Sequence, residues 1–166
     1  KLRELLLAEP TADDHKYSRG VVGFITGSTR FPGAALLGVT AAIQSGCGYV
    51  RFVGNERLCN FVLSQRPEVV CEDGYADAWV LGSGVPEDDL NRIYDLATKF
   101  RDSRPMVIDA GAISHLHKQR PLSDFIITPH HKEAQGILEK LGVVMTLDEI
   151  AADPESAAMK LAELTG

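Results

Sequence analysis

Residues 21–52, VVGFITGSTRFPGAALLGVTAAIQSGCGYVRF, constrain the fold more than any other stretch of this chain. Residues 21–26 are a short apolar run that stops at Gly27-Ser28, and a run of that length bounded by turn residues reads as a buried strand. Pro32 stands where a helix begins, since the N–H that proline lacks would find no partner there, and Gly46 stands where the left-handed residue after a helix belongs. Residues 33–45 are rich in Gly, Ala, Leu and Thr, small enough to let a helix lie close to a sheet. The unit is therefore β-α-β, and strands joined by such a crossover are parallel. The first N–H groups of its helix, beside the loop Gly27-Ser28-Thr29-Arg30, form a place suited to an anion or a polar ring.

Two phosphate motifs are excluded. A Walker A loop opens its helix with Gly-Lys-Ser/Thr, and this turn offers Phe31-Pro32-Gly33. A dinucleotide fingerprint needs three spaced glycines between strand and helix, and neither Gly46-Cys47-Gly48 nor Gly82-Ser83-Gly84 continues in that way.

The rest of the chain keeps the alternation. Residues 58–63 read as a short helix, 68–71 and 76–81 as strands, and 88–100 as a helix with Leu90, Ile93, Tyr94 and Ala97 on one face. Residues 106–108 read as a buried strand closing in Asp109, 114–118 as a short helix, 125–127 as a strand and 132–141 as a helix. The tail from Leu147 predicts two short helices, the last opened by Asp153-Pro154. Such alternation predicts an α/β fold with a mostly parallel central sheet covered on both faces. Ligands of such sheets sit beyond the carboxyl ends of the strands, where Gly27, Gly82, Asp109 and Thr128 all stand, so these turns are expected to converge on one cleft.

Composition narrows the partners. The net charge of -6 and the lack of any Lys/Arg run favour neither nucleic acid nor an acidic membrane surface. No apolar run approaches the length of a membrane span. Cys47, Cys59 and Cys71 are odd in number and lack Cys-x-x-Cys spacing, which predicts reduced thiols and a cytoplasmic setting. His115, His117, His130 and His131 lack zinc spacing, so no protein-held metal is read from them.

The segments Gly27-Ser28, Pro32-Gly33-Ala34-Ala35-Leu36 and Ser45-Gly46-Cys47-Gly48 belong to a longer ordered series. His15-Lys16 and Gly20 precede them. Arg66-Pro67-Glu68-Val69, Leu81-Gly82-Ser83-Gly84, Asp109-Ala110-Gly111-Ala112 and Thr128-Pro129-His130-His131-Lys132-Glu133 follow. Over nearly the whole chain this series resembles the ADP/ATP-dependent NAD(P)H-hydrate dehydratases of the ribokinase-like superfamily. Two positions depart from the family pattern: Tyr17 stands where Gly is frequent, and His131-Lys132 where Pro-Gly is common.

The resemblance implies a three-layer αβα ribokinase-like fold with its C-terminal portion missing, so that residues 1–166 form a single, incomplete domain. Family members continue into a strand with a Lys-Gly-Ala nucleotide turn and then a glycine-rich loop carrying Asp. The catalytic base is accordingly expected beyond Gly166, and this chain alone is expected to be inactive. The implied reaction is nucleotide-dependent dehydration of hydrated NADH or NADPH. ADP or ATP with Mg2+ phosphorylates the ring hydroxyl, and loss of phosphate restores NAD(P)H. By the same resemblance Ala34, Ala35, Gly84 and His130 hold the hydrate, and Asp109 and Glu133 support ion or phosphate. The implied partners are the hydrate, the nucleotide and, functionally, an NAD(P)H-hydrate epimerase; a homo-oligomer stays open. Two other functions share these features: a small-molecule kinase of the vitamin-precursor type, and a non-catalytic nucleotide-binding domain.

Each residue also has a plainer reading. Gly82-Ser83-Gly84 serves as a turn needing positive φ, and Ala34 and Ala35 as close-packing helix residues. Asp109 serves as a helix N-cap or a turn former, His130 as a solvated loop side chain, and Glu133 as a first-turn acid facing the helix dipole. Lys16 and Arg19 are solvated loop cations or phosphate contacts, and Phe31 is a pocket wall or core residue.

Overall fold

The computed structural model describes residues 9–86, 104–113 and 125–166. The helices expected over 88–100 and 114–118 lie outside these residues. Five strands form one sheet: β1 (Val21–Ile25), β2 (Tyr49–Phe52), β3 (Ala78–Leu81), β4 (Met106–Ile108) and β5 (Phe125–Ile127). Their order is β2-β1-β3-β4-β5 and every pairing is parallel. The described helices are α1 (Pro32–Gln44), α2 (Glu56–Gln65), α3 (His131–Lys140), α4 (Leu147–Ala152) and α5 (Pro154–Thr165).

Strand alternation divides the apolar side chains between two faces. Phe24, Val50 and Phe52 pack with Ala35 and Val39 of α1 and Leu58 and Val62 of α2. Ile25, Trp79, Leu81 and Ile108 pack on the other side with Ile137 and Leu138 of α3, Ile150 of α4 and Leu161 of α5. Helices on both faces of a parallel sheet make the three αβα layers. Trp79 is the largest fully buried side chain, and it fits because its neighbour across β1 is Gly23. A Cβ on Gly23 would stand 2.4 Å from the indole ring.

The helix boundaries follow local chemistry. In α1, Pro32 opens the helix and Gly46, at φ 81°, follows its end. Asn55 caps α2 by accepting from the Leu58 N–H at 3.0 Å, which starts that helix earlier than the apolar residues alone predict. Thr146 and Glu149 cap α4 reciprocally, and Asp153 caps α5 ahead of Pro154. One expectation fails. Residues 68–71 do not form a strand; Val70 makes an isolated parallel bridge to Arg51 beside the edge strand β2.

The strand order matters for function. From β1 the chain crosses outward to β2 and then returns to β3 on the other side of β1. Connections that leave a sheet in opposite directions open a crevice at the carboxyl ends of the two strands concerned. In this molecule the reversal falls at β1 and β3, so a ligand is expected beyond the turns that follow these two strands.

Candidate functional site

The turns after β1, β3, β4 and β5 are laced together by short contacts. The Gly27 N–H donates to the Ser83 carbonyl at 2.7 Å, and the Gly82 N–H donates to the Ile25 carbonyl at 3.1 Å. The Asp109 N–H donates to Leu81 at 2.9 Å and the Thr128 N–H to Ile108 at 3.1 Å. The four strand ends expected to converge therefore do so.

Small residues set how closely the first two turns meet α1. A Cβ on Gly27 would fall 2.8 Å from the Ala35 Cβ, and one on Gly84 would fall 2.5 Å from the Ala34 Cβ. Gly84 also has φ 68°, a conformation that an L side chain adopts only with strain. Ala35 is fully buried, so packing is its direct role, whereas Ala34 is half-buried against Gly84. Ser28 is buried, and its Oγ accepts from the Phe31 N–H at 3.1 Å. No side chain among the described residues caps α1, and its first turn carries no acid. A Cβ on Gly33 would meet nothing within 4 Å, so the start of this helix faces open space.

Asp109 joins three strand ends through its side chain. Its Oδ2 accepts from the Ser83 hydroxyl at 2.7 Å, and its Oδ1 accepts from the Thr128 hydroxyl at 2.9 Å. The N-cap reading of Asp109 is not borne out: a 3-10 turn over Ala110–Ala112 follows, but the carboxylate makes no capping bond to it. Ala110 has φ 49°, the one non-glycine residue in left-handed conformation among the described residues. Such backbone costs about 1 kcal/mol and recurs where a turn is held for function. Sequence reasoning singled out Asp109 but missed the hydroxyls of Ser83 and Thr128. The available signal was a polar residue just past each of three apolar strands.

His130 and Glu133 meet as a reciprocal cap at the start of α3. The Glu133 N–H donates to His130 Nδ1 at 3.2 Å, and the His130 N–H donates to Glu133 Oε2 at 2.9 Å. An accepting Nδ1 leaves the ring proton on Nε2, which stands 3.5 Å from Glu133 Oε1. The imidazole is 66% exposed, so this N–H remains open to a ligand. The cap forms even though Lys132 occupies the position between His131 and Glu133.

Both carboxylates of this junction are engaged in hydrogen bonds. Both Asp109 oxygens hold hydroxyl protons and Glu133 holds the His130 N–H. Among the described residues there is no group of three or more His, Cys, Asp or Glu placed to hold a metal. Asp109 and Glu133 each stand apart from any such group, and their support of ion or phosphate is what the resemblance alone implies.

Two concave regions flank this junction. One, of about 380 Å³, lies between Val85, the Ala110 turn and α3, and Glu133 lines it. The larger, of about 570 Å³, runs along β5 and α5 at the sheet edge. Ala34, Gly84, Asp109 and His130 line neither of them. The hydrogen-bonded turns, rather than the larger hollow, locate the candidate site, because they bring polar groups from several strand ends together.

Lys16 and Arg19 are not near this junction. The Arg19 side chain donates to the Gly46 carbonyl at 2.9 Å and lies 3.7 Å from Asp14, while the Lys16 ammonium stands over the Tyr17 and Tyr49 rings. Both belong to the amino ends of the strands, away from the turns joined at the carboxyl ends. Phe31 is 46% exposed beneath the Arg30 guanidinium, a rim residue rather than core.

An open parallel sheet of this order, with glycine turns after β1 and β3 pressed on a small-residue helix, defines a doubly wound α/β protein, and a solved ribokinase-like superfamily protein of Enterococcus faecalis shares its fold at a TM-score of 0.79. A family model described as NAD(P)H-hydrate dehydratase matches residues 22–163, and the chain belongs to that family. It is 34% identical over 173 residues to the bifunctional NAD(P)H-hydrate repair enzyme Nnr of Corynebacterium glutamicum, covering 96% of this chain and 30% of that protein. It is 29% identical over 171 residues to the ADP-dependent (S)-NAD(P)H-hydrate dehydratase of Neisseria meningitidis serogroup B, covering 93% of this chain and 56% of that one. The crystal structure of the ADP/ATP-dependent NAD(P)H-hydrate dehydratase of Bacillus subtilis, co-crystallised with ATP/Mg2+, shares the fold. Its TM-score is 0.78 at 24% identity, over 98% of this chain and 61% of that one. The chain thus spans less than two thirds of the length of each of these proteins. Among the described residues, no helix is long and apolar enough to cross a membrane.

Proposed function

We propose that this chain is the hydrate-binding side of a nucleotide-dependent NAD(P)H-hydrate dehydratase and forms part of one larger catalytic domain. The observation that carries the reading is the close contact of Gly84 with Ala34 at the β1/β3 reversal, in a chain of this family. Two positions without bulky side chains leave a flat wall that admits a planar ring, and the open start of α1 beside them offers N–H groups to an anion. His130 Nε2–H, oriented by its cap, donates toward a ligand oxygen. Asp109 holds the turns after β3 and β5 in register, so that Gly84 and His130 face one ligand.

Hydroxide leaves a hydrated nicotinamide ring poorly and phosphate leaves well. Transfer of a phosphoryl group to the ring hydroxyl therefore converts a slow elimination into a fast one, with the ring nitrogen supplying the electron pair. The residues of this chain bind and orient the hydroxyl; positioning of this kind is a large share of phosphoryl-transfer catalysis. ADP or ATP as donor is supported by the names of the Neisseria and Bacillus relatives. The bifunctional relative supports pairing with a second repair activity, the epimerase expected above. Three free thiols agree with a cytoplasmic setting.

The test mixes a longer polypeptide containing this chain with hydrated NADH, Mg2+ and either ADP or ATP, and follows reduced-nicotinamide absorbance. Nucleotide-dependent recovery is expected. A stable phosphorylated product from another alcohol, without recovery, would replace the dehydratase reading with a kinase. For the 166-residue chain alone, calorimetry is expected to detect hydrate binding without turnover, and turnover would overturn the expectation of an absent base.

A further inference from the structure

All three cysteines lie half-buried on the side of the sheet covered by α1 and α2, against the cluster that holds Phe24, Phe52, Leu58 and Val62. Two of them meet. Cys59 lies in α2, and Cys71 follows Val70, whose bridge to Arg51 fastens its segment beside β2. The Cys71 thiol donates to the Cys59 carbonyl at 3.8 Å, and the Cys59 thiol donates to the Gly54 carbonyl at 3.6 Å. Burial, then hydrogen bonding and charge repulsion from the Cys59 thiol, push the Cys71 thiol up to about 12. The Cys71 sulfur thus stands directly beside the Cys59 residue. Cys47 is bound elsewhere, its thiol donating to the Tyr49 carbonyl at 3.7 Å.

We propose that Cys59 and Cys71 form a redox pair that closes reversibly to an intrachain disulfide, tying α2 to the segment beside β2. The oxidant is a small-molecule disulfide of the glutathione type. The Cys59 thiolate attacks one of its sulfurs, forming a mixed disulfide and releasing one small thiolate. The Cys71 thiolate then attacks the Cys59 sulfur, forming the protein disulfide and expelling the second small thiolate. Two protein thiols are oxidised, one small disulfide is reduced to two thiols, and the two protons pass from the protein to those thiols. Because Cys71 is held protonated, the second step quickens as pH rises. In a reducing compartment the pair rests as thiols; an oxidising one closes it. The inference stands on the packing of α2 and is independent of the catalytic reading.

The sequence supplies its own control. Cys59 is twelve residues from Cys71 and also twelve from Cys47, so loop closure in an unfolded chain favours neither partner. The experiment oxidises the folded 166-residue chain with oxidised glutathione and alkylates the remaining thiols. Cleavage after Glu56, Glu68 and Glu72 then puts each cysteine on its own peptide for mass spectrometry. In the folded chain the 59–71 linkage is expected to exceed 47–59 by about tenfold or more, and in urea the two are expected to form within about twofold of each other. Cys47→Ser should retain the native product, and Cys71→Ser should abolish it. Equal linkages in the folded chain, or three alkylated thiols after oxidation at raised pH, would overturn the proposal.

Discussion

The two ends of the sheet are built from different chemistry. At the amino ends, cations and aromatic rings satisfy one another. Lys16 lies over Tyr17 and Tyr49, Arg51 donates to the Glu72, Asp73 and Tyr75 carbonyls, and Arg104 covers the Tyr75 ring. Asp77 accepts from the Tyr75 hydroxyl and from the Val21 N–H, fixing the start of β1. At the carboxyl ends there are glycines in close contact, a left-handed alanine, an uncapped helix and one carboxylate shared by two hydroxyls. The first end uses its charges internally. The second keeps its backbone tightly joined while leaving N–H groups and an imidazole open, an arrangement suited to receiving a ligand at some cost in local strain.

Substitutions can break this contrast. The largest effect is expected from Gly84→Val, which combines a side chain at positive φ with collision against Ala34. A loss of about 3 kcal/mol in urea unfolding is expected, together with loss of hydrate binding by calorimetry. Ala34→Leu sharpens the point: at a half-buried rim it should cost only about 1 kcal/mol of stability yet weaken hydrate binding at least about tenfold. Equal loss of stability and binding would make Ala34 a packing residue only. Asp109→Ala removes the carboxylate that the Ser83 and Thr128 hydroxyls share, leaving Thr128 only its longer bond to the Ile108 carbonyl, with an expected loss of about 1–2 kcal/mol. Hydrogen exchange should quicken at the turns after β3 and β5 and stay unchanged around Asp77.

The smallest effect is expected at the amino ends, where Tyr75→Phe should cost at most about 1 kcal/mol and leave hydrate binding intact. That substitution also has a pH signature. The Tyr75 hydroxyl first, then the Val21 N–H, and last the Arg104 charge, hold the Asp77 carboxyl below its ordinary value against the opposing effect of burial. A carboxyl lowered by folding contributes stability that is present above its unfolded value of about 3.9 and lost as pH falls through its lower folded value. Tyr75→Phe should therefore flatten the decline in stability below about pH 4. An unchanged acid limb would show that Tyr75 does not hold the carboxylate.

Much of the fold was legible because its signals are local. The β1–α1–β2 unit, Pro32 before its helix and Gly46 after it were readable from turn residues and side-chain size alone. Residues 68–71 were misread because β propensity indicates an extended segment without saying how much of it finds a neighbour. Beside β2 only Val70 does. The histidine and glutamate of the site were readable as residues, and their spacing of three allowed a shared face, yet nothing in that spacing required them to cap each other.

By itself the sequence determined the period of the elements, the parallel sense imposed by helical crossovers and the placing of polar residues just past apolar strands. Only the tertiary structure decided that Ser83 and Thr128 share Asp109, that Gly84 rests on Ala34, and that Lys16 and Arg19 stand at the opposite end from the site. The physical reason is separation along the chain. Turn chemistry and helix starts act over three or four residues, whereas Ser83 and Asp109 are 26 apart and meet only because β3 and β4 lie side by side. Strand order, and hence the neighbours of each strand end, comes from burying Trp79, Phe52 and Ile108 between helices, a choice made by the whole core at once.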